Sequence, residues 1–107
     1  MESKLGHDRD ESQNELTRKL AKLLRIERKY HMSQEALSDR IICSRASISR
    51  MESGGNVRSD ILIASLAELE LAEHFIVLID SLLAEPPEKR ARDERQRRFD
   101  AIMAPYR

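Results

Sequence analysis

The sequence predicts an all-α chain of five helices, with a flexible tail before the first and a charged tail able to form helix after the last. Three observations carry this. Apolar residues recur three and four apart within successive segments, which places them on one side of a helix. Serines, which cap helix N-termini by accepting from a free backbone N–H, stand ahead of those segments at Ser33, Ser44 and Ser59. Stop signals follow at Gly54-Gly55-Asn56 and at Pro86-Pro87. At 107 residues the chain is one domain with tails, large enough for one modest core.

Residues 1–13 have few apolar groups to bury and are expected to be disordered. The first helix is predicted over residues 14–30. Leu16, Leu20, Leu23, Leu24 and Ile26 form its apolar stripe, with Arg18, Lys19, Lys22, Arg25 and Arg28 around it. The second, residues 33–41, opens on Ser33 and carries Leu37 and Ile41 four apart. The third, residues 44–53, opens on Ser44 and sets Ile48 and Met51 three apart on one face. Ile42-Cys43-Ser44 forms the turn between them. Ser59 caps the fourth helix, with Asp60 favourable in its first turn near the positive end of the helix dipole. Ile61, Leu62, Ala64, Ser65, Leu66 and Leu69 supply its buried side.

The fifth segment, residues 72–83, holds Phe75, Ile76, Val77, Leu78, Ile79, Leu82 and Leu83. That is more apolar surface than a helix on one small core needs, so the segment either completes the core or pairs with a second copy. Its five consecutive apolar residues also suit a strand, but its length and flanks favour helix. Pro86-Pro87 then closes the ordered part, because neither can continue a helix and Glu85 is pushed toward an extended form. The tail, residues 85–107, combines strong helix formers and mixed charge with Phe99, Ile102 and Met103 as its apolar anchors. It is expected to be helical in a complex and fluctuating when free. The domain reading is therefore residues 1–13 disordered, 14–84 a globular domain with a dimerisation helix, and 85–107 a charged tail.

The formal net charge is zero, but its distribution is uneven. Residues 16–58 hold ten Lys/Arg against four Asp/Glu, whereas residues 59–84 hold five acids and no Lys or Arg. A basic half beside an acidic half suits docking on phosphates through one face; the alternative is a chance segregation of solvated charges. One cysteine, Cys43, excludes an internal disulfide and a cysteine-rich metal site, and its neighbours suggest a small apolar residue under the turn rather than a reactive thiol. No apolar run is long enough to span a bilayer, and the first fifteen residues are polar and acidic, unlike a secretory signal. A soluble cytoplasmic protein is expected. His7, His31 and His74 are scattered, and there is no HExxH, no glycine-rich phosphate loop and no paired metal-ligand spacing. The chain reads as non-enzymatic, with no cofactor or metal.

Two short helices joined by so tight a turn form a helix-turn-helix, the minimal unit that presents one helix to the major groove while the other buttresses it. SQEALSDRI followed by SRASISRME resembles the Xre family of phage Cro and repressor-type DNA-binding domains, whose pattern runs SQ-x-x-LA, then S-x-x-x-IS-x-x-E. The matching residues are Ser33, Gln34, Leu37, Ser44, Ile48, Ser49 and Glu52. GGNVRSDILIASLAELEL resembles the family's later loop and fourth helix, so the likeness covers roughly residues 16–72. Two positions depart from it. Ser38 replaces a small alanine, and Ile42 replaces the glycine of the turn. A β-branched residue suits a left-handed turn poorly, so either the turn follows another path or Ile42 packs beneath it.

The N-terminal end of the second motif helix meets base edges in such domains. Arg45 and Ala46 lie in its first turn, and Ser49 and Arg50 follow one turn later on roughly the same side. Arginine's planar fork of donors matches the O6 and N7 acceptors of guanine, which makes Arg45 and Arg50 the expected guanine readers. Ala46 can press on a thymine methyl, and Ser49 can hydrogen bond to several bases. For both arginines the alternative is phosphate contact only. The resemblance implies that Gln34 bonds a phosphate and braces the reading helix. Ser33 and Ser44 are caps that can also serve a phosphate, and Asn56 and Arg58 lie in the loop where the family touches the DNA backbone, Asn56 equally as a plain helix stop. The resemblance also pairs Glu52 with an arginine of the first helix, Arg25 or Arg28.

The expected function is a sequence-specific transcriptional regulator of double-stranded DNA, a repressor acting as a homodimer on an inverted repeat. The alternative is an antitoxin that neutralises a toxin partner through the charged tail and regulates its own operon.

Overall fold

A computed structural model describes residues 3–106 of the chain, and the side chains of residues 9–106. Six α-helices follow one another: α1 Ser3–His31, α2 Gln34–Ile41, α3 Arg45–Glu52, α4 Ser59–Glu68, α5 Ala72–Leu83 and α6 Pro87–Met103, with a 3₁₀ turn at Ala104–Tyr106. No strand occurs among the described residues, so the apolar run of α5 resolves as helix. The chain divides into two compact units, residues 1–72 and 73–107. The division falls after Ala72, the first residue of α5, so the rest of α5 groups with the residues that follow it.

In the first unit α2 packs on α3 and α4, and α1 packs on α3. The core is Ala21 and Leu24 from α1, Leu37 from α2, Ile48 and Met51 from α3, and Leu66, Leu69 and Leu71 from α4 and its end. The α1 stripe is narrower than the sequence suggested. Leu24 is buried, but Leu16 and Ile26 are exposed, because the buried register runs through Ala21, Leu24 and Arg28. The helix also starts at Ser3, well before residue 14. Of the segment expected to be disordered, residues 1 and 2 lie outside the described residues. The rest continues α1 as a helix whose residues 9–19 are all exposed, aided by strong helix formers and the Glu15–Lys19 pair at 3.4 Å.

Helix ends position the motif. Ser33 caps α2, its hydroxyl accepting from the Ala36 N–H, and Ser44 caps α3 by accepting from the Ser47 N–H. At α4 the expectation fails. Arg58 is the N-cap and makes no side-chain cap bond, Ser59 is the first helical residue, and the Asp60 carboxylate accepts from the Ile61 N–H instead.

Three helices close alike, with a left-handed residue after the last turn and the next N–H bonding back five residues. After α3 this residue is Gly54, at φ 83°, and the Gly55 N–H donates to the Arg50 carbonyl at 2.8 Å. After α2 it is Ile42, at φ 57°, with the Cys43 N–H donating to Ser38 at 3.0 Å; after α4 it is Glu70, at φ 61°, with the Leu71 N–H donating to Leu66 at 2.8 Å. The turn thus keeps the path that glycine favours. Ile42 is not packed beneath it: its side chain is 90% exposed. Left-handed backbone costs a non-glycine residue about 1–2 kcal/mol, partly offset by the greater freedom glycine has when unfolded. Ile42→Gly and Glu70→Gly are each expected to raise unfolding free energy by about 0.5–1 kcal/mol. Denaturant midpoints check this, and a lowered midpoint would show that the side chain contributes packing the exposure does not reveal.

Candidate nucleic-acid interface

The outer surface of α3 sorts its residues cleanly. Ser47, Ile48 and Met51 are buried, while Arg45, Ala46, Ser49 and Arg50 are exposed. The four residues chosen as base readers are therefore the outward ones. They do not share one side as closely as expected. At 100° per residue, Arg45 and Arg50 stand about 140° apart, on opposite edges of the exposed face, with Ser49 and Ala46 between them.

Each edge has its own surroundings. On the first, Ser33, Gln34 and Arg45 line one surface depression together with Arg28 and Glu35. The Gln34 amide donates through Nε2 to Glu52 Oε1 at 3.2 Å and accepts at Oε1 from Arg45 Nε at 3.4 Å. Behind it Arg28 grips the same carboxylate with two prongs, Nε to Oε2 at 2.6 Å and Nη2 to Oε1 at 3.0 Å, and Nη1 donates to the Met32 carbonyl at 3.1 Å. The partner of Glu52 is thus Arg28, and Arg25 is exposed. The side chains of Arg28 and Glu52 are only 8% and 4% exposed. A relay runs from this buried pair through Gln34 to Arg45 at the surface. Gln34 keeps one amide N–H uncommitted, the donor a phosphate requires.

On the second edge, Ser44, Arg50, Asn56 and Arg58 line a cleft of about 490 Å³ with Cys43, Ser47 and Asp60. Arg50 bends along α3 towards the loop, donating through Nε to the Asn56 carbonyl at 3.3 Å and through Nη2 to Ser47 Oγ at 3.4 Å. To read a base it must exchange these long bonds for new ones. Arg58 is forked onto Asp60, Nε to Oδ1 at 3.1 Å and Nη2 to Oδ2 at 2.5 Å. The hydrogen-bonded Arg58 guanidinium holds the Asp60 carboxyl below the usual carboxylate range, and Asp60 in turn raises the guanidinium's own affinity for its proton. A phosphate at Arg58 therefore competes with Asp60. Burial pushes the Cys43 thiol up from its ordinary value, and its side chain, half-buried, lines the same cleft.

Sequence reasoning missed two members of this site. Ser47 is buried and its hydroxyl lies 3.0 Å from that of Ser44, so the α3 cap is a serine pair; the Ser-x-x-Ser spacing was the available signal. Asp60 was assigned to the helix dipole, although an acid two residues after Arg58 can also mask it. Among the described residues no group of three His, Cys, Asp or Glu is placed to hold a metal ion. None of the described helices is long and apolar enough to cross a membrane. In comparisons with known proteins, the helix-turn-helix family matches residues 22–71, from the buried part of α1 to the buried Leu71 after α4. No curated protein and no solved structure matches the chain.

Proposed function

Residues 22–71 belong to the helix-turn-helix family as a domain of the Xre/Cro type, the DNA-binding part of a transcription regulator, and from that premise we propose that the protein is a sequence-specific cytoplasmic repressor binding an inverted repeat as a homodimer. One observation carries the proposal: every exposed residue of α3 is of a type that reads bases. Arg45 and Arg50 take guanine, Ala46 a thymine methyl, and Ser49 a donor or acceptor on either strand. Ser33 and Gln34 on one edge, and Ser44, Asn56 and Arg58 on the other, take the flanking phosphates, so both walls of the groove are met.

A single reading helix covers too few base pairs to discriminate within a genome, which a two-fold dimer remedies by doubling the site. α5 supplies the apolar surface for it. A repressor then needs only to occupy a promoter. Footprinting on the protein's own upstream DNA, over a salt series and against random competitor, is expected to show a protected inverted repeat with half-sites about one helical turn apart. Weak, salt-sensitive binding without a footprint would leave the motif as a scaffold.

The second reading, an antitoxin that neutralises a toxin and autoregulates, draws on α6, a 17-residue helix with no buried residue. In that case a neighbouring gene product co-purifies, and removal of α6 abolishes the pairing while sparing DNA binding.

A further inference from the structure

The second unit, residues 73–107, carries two helix faces that are largely exposed among the described residues. Along α5, Phe75, Ile76, Leu78, Ile79, Leu82 and Leu83 fall on one continuous side at three- and four-residue spacing. Ile76, Leu78, Ile79 and Leu82 are about half exposed and Leu83 more so. Glu73 and Asp80, two turns apart, edge this face. No cation lies on α5, and neither acid has a hydrogen bond or ion pair among the described residues. Along α6, Arg92, Arg95, Phe99 and Ile102 share one side, and all four are exposed. The other cations of α6 are engaged: Lys89 with Glu85 and Asp93, Arg97 and Arg98 with Glu94, and Arg90 with backbone carbonyls. Arg92 and Arg95 have no such partner among the described residues.

The two faces are largely complementary, apolar with acids against apolar with two arginines and, at its first turn, Glu88, yet among the described residues they do not pack on each other. Arg90 Nη1 donates to the carbonyls of Leu82 and Glu85, both at 2.6 Å, and so clamps the start of α6 onto the last turn of α5. Pro87 opens α6, and Lys89 ties back to Glu85 at 3.0 Å. Beyond this corner α6 does not pack along α5.

Resting on the homodimer reading above, we propose that the dimer forms by reciprocal exchange: α6 of each copy lies across α5 of the other, with Arg92 and Arg95 facing the partner's Glu73 and Asp80 and with Phe99 and Ile102 set on its apolar side. A two-fold axis makes this contact twice, so each α5 is covered without α5 having to pack on its own like. The charges fix which helix meets which, since a like-charged juxtaposition is strongly disfavoured.

The test uses two full-length variants, R92E/R95E and E73R/D80R, all four substitutions being at exposed side chains that bond nothing among the described residues. In the reciprocal arrangement each variant alone opposes like charges at both contacts. Mixed together, they place glutamates against arginines at one contact and the native pairs at the other. Sedimentation equilibrium at low salt is expected to show each variant at least tenfold weaker in self-association than the native chain, and the mixture restored as a heterodimer. Unaltered self-association of the variants, or failure of the mixture to associate, would overturn the exchange and leave α5 alone as the contact. Normal self-association with lost DNA affinity in R92E/R95E would overturn it too, and make α6 a phosphate-binding arm. A native chain that stays monomeric at every concentration would instead remove the homodimer reading itself.

Discussion

Glu52→Ala is expected to lower the unfolding free energy by about 3–5 kcal/mol, a large fraction of what a domain of this size possesses. The cause is the group left behind. Arg28 is buried, and its two-pronged bond to Glu52, at 2.6 and 3.0 Å, is what compensates for its lost hydration. Removing the carboxylate leaves a guanidinium held only by the Met32 carbonyl. Replacing both partners with apolar residues of similar volume, as in Arg28→Met with Glu52→Leu, is expected to restore most of the stability. That double variant separates two roles. With the fold kept, Gln34 has lost its anchor, so DNA affinity should still fall. Equilibrium denaturation of the single and double variants, beside DNA titrations of the double, checks both parts. A single-variant loss under about 1 kcal/mol would mean that water reaches Arg28 once the carboxylate is gone.

Arg45→Ala is expected to weaken binding to the cognate operator by about 1–3 kcal/mol, roughly five- to 150-fold, and to relax preference at one base pair. Arg45 is exposed on α3, and its Nε rests 3.4 Å from the Gln34 amide. The guanidinium is thus steadied at one nitrogen while its terminal amines stay free for a guanine edge. Gln34→Leu should therefore lower affinity by loosening Arg45 as well as by losing a phosphate donor. Titrations against the cognate site, single-base variants of it and random DNA distinguish the outcomes. Equal losses on cognate and random DNA would make Arg45 a phosphate contact only. Arg50→Ala should cost less, because Arg50 must first release the Asn56 carbonyl and Ser47 hydroxyl before it can read.

Much of this was legible in the residues. Ser33 and Ser44 were recognisable as caps because a hydroxyl before an apolar-periodic segment has one economical use. Ile48 and Met51 were recognisable as core by their spacing. The outward set on α3 followed as the remainder of the same periodicity. Errors fell where local preference met a tertiary demand. Ile42 is a poor residue for a left-handed turn, and the turn adopts that conformation anyway, because the α2–α3 packing needs the corner there. Leu16 belonged to a convincing stripe, but α1 runs past the edge of the core before reaching it. Arg58 was expected in the loop that touches the DNA backbone, and its local fork with Asp60 leaves no mark in periodicity.

The sequence by itself determined the all-helical class, the order of the helices, the motif and the residues that α3 turns outward. Each follows from short-range rules of capping, apolar spacing and chain-breaking residues. Tertiary structure alone decided which arginine Glu52 takes, how Gln34 links that pair to Arg45, and which edge of α3 each reading arginine occupies. It also decided that Arg90 clamps the corner between α5 and α6. These depend on distances between residues remote in sequence or on the direction in which a long side chain turns, and no spacing rule within a single helix specifies either.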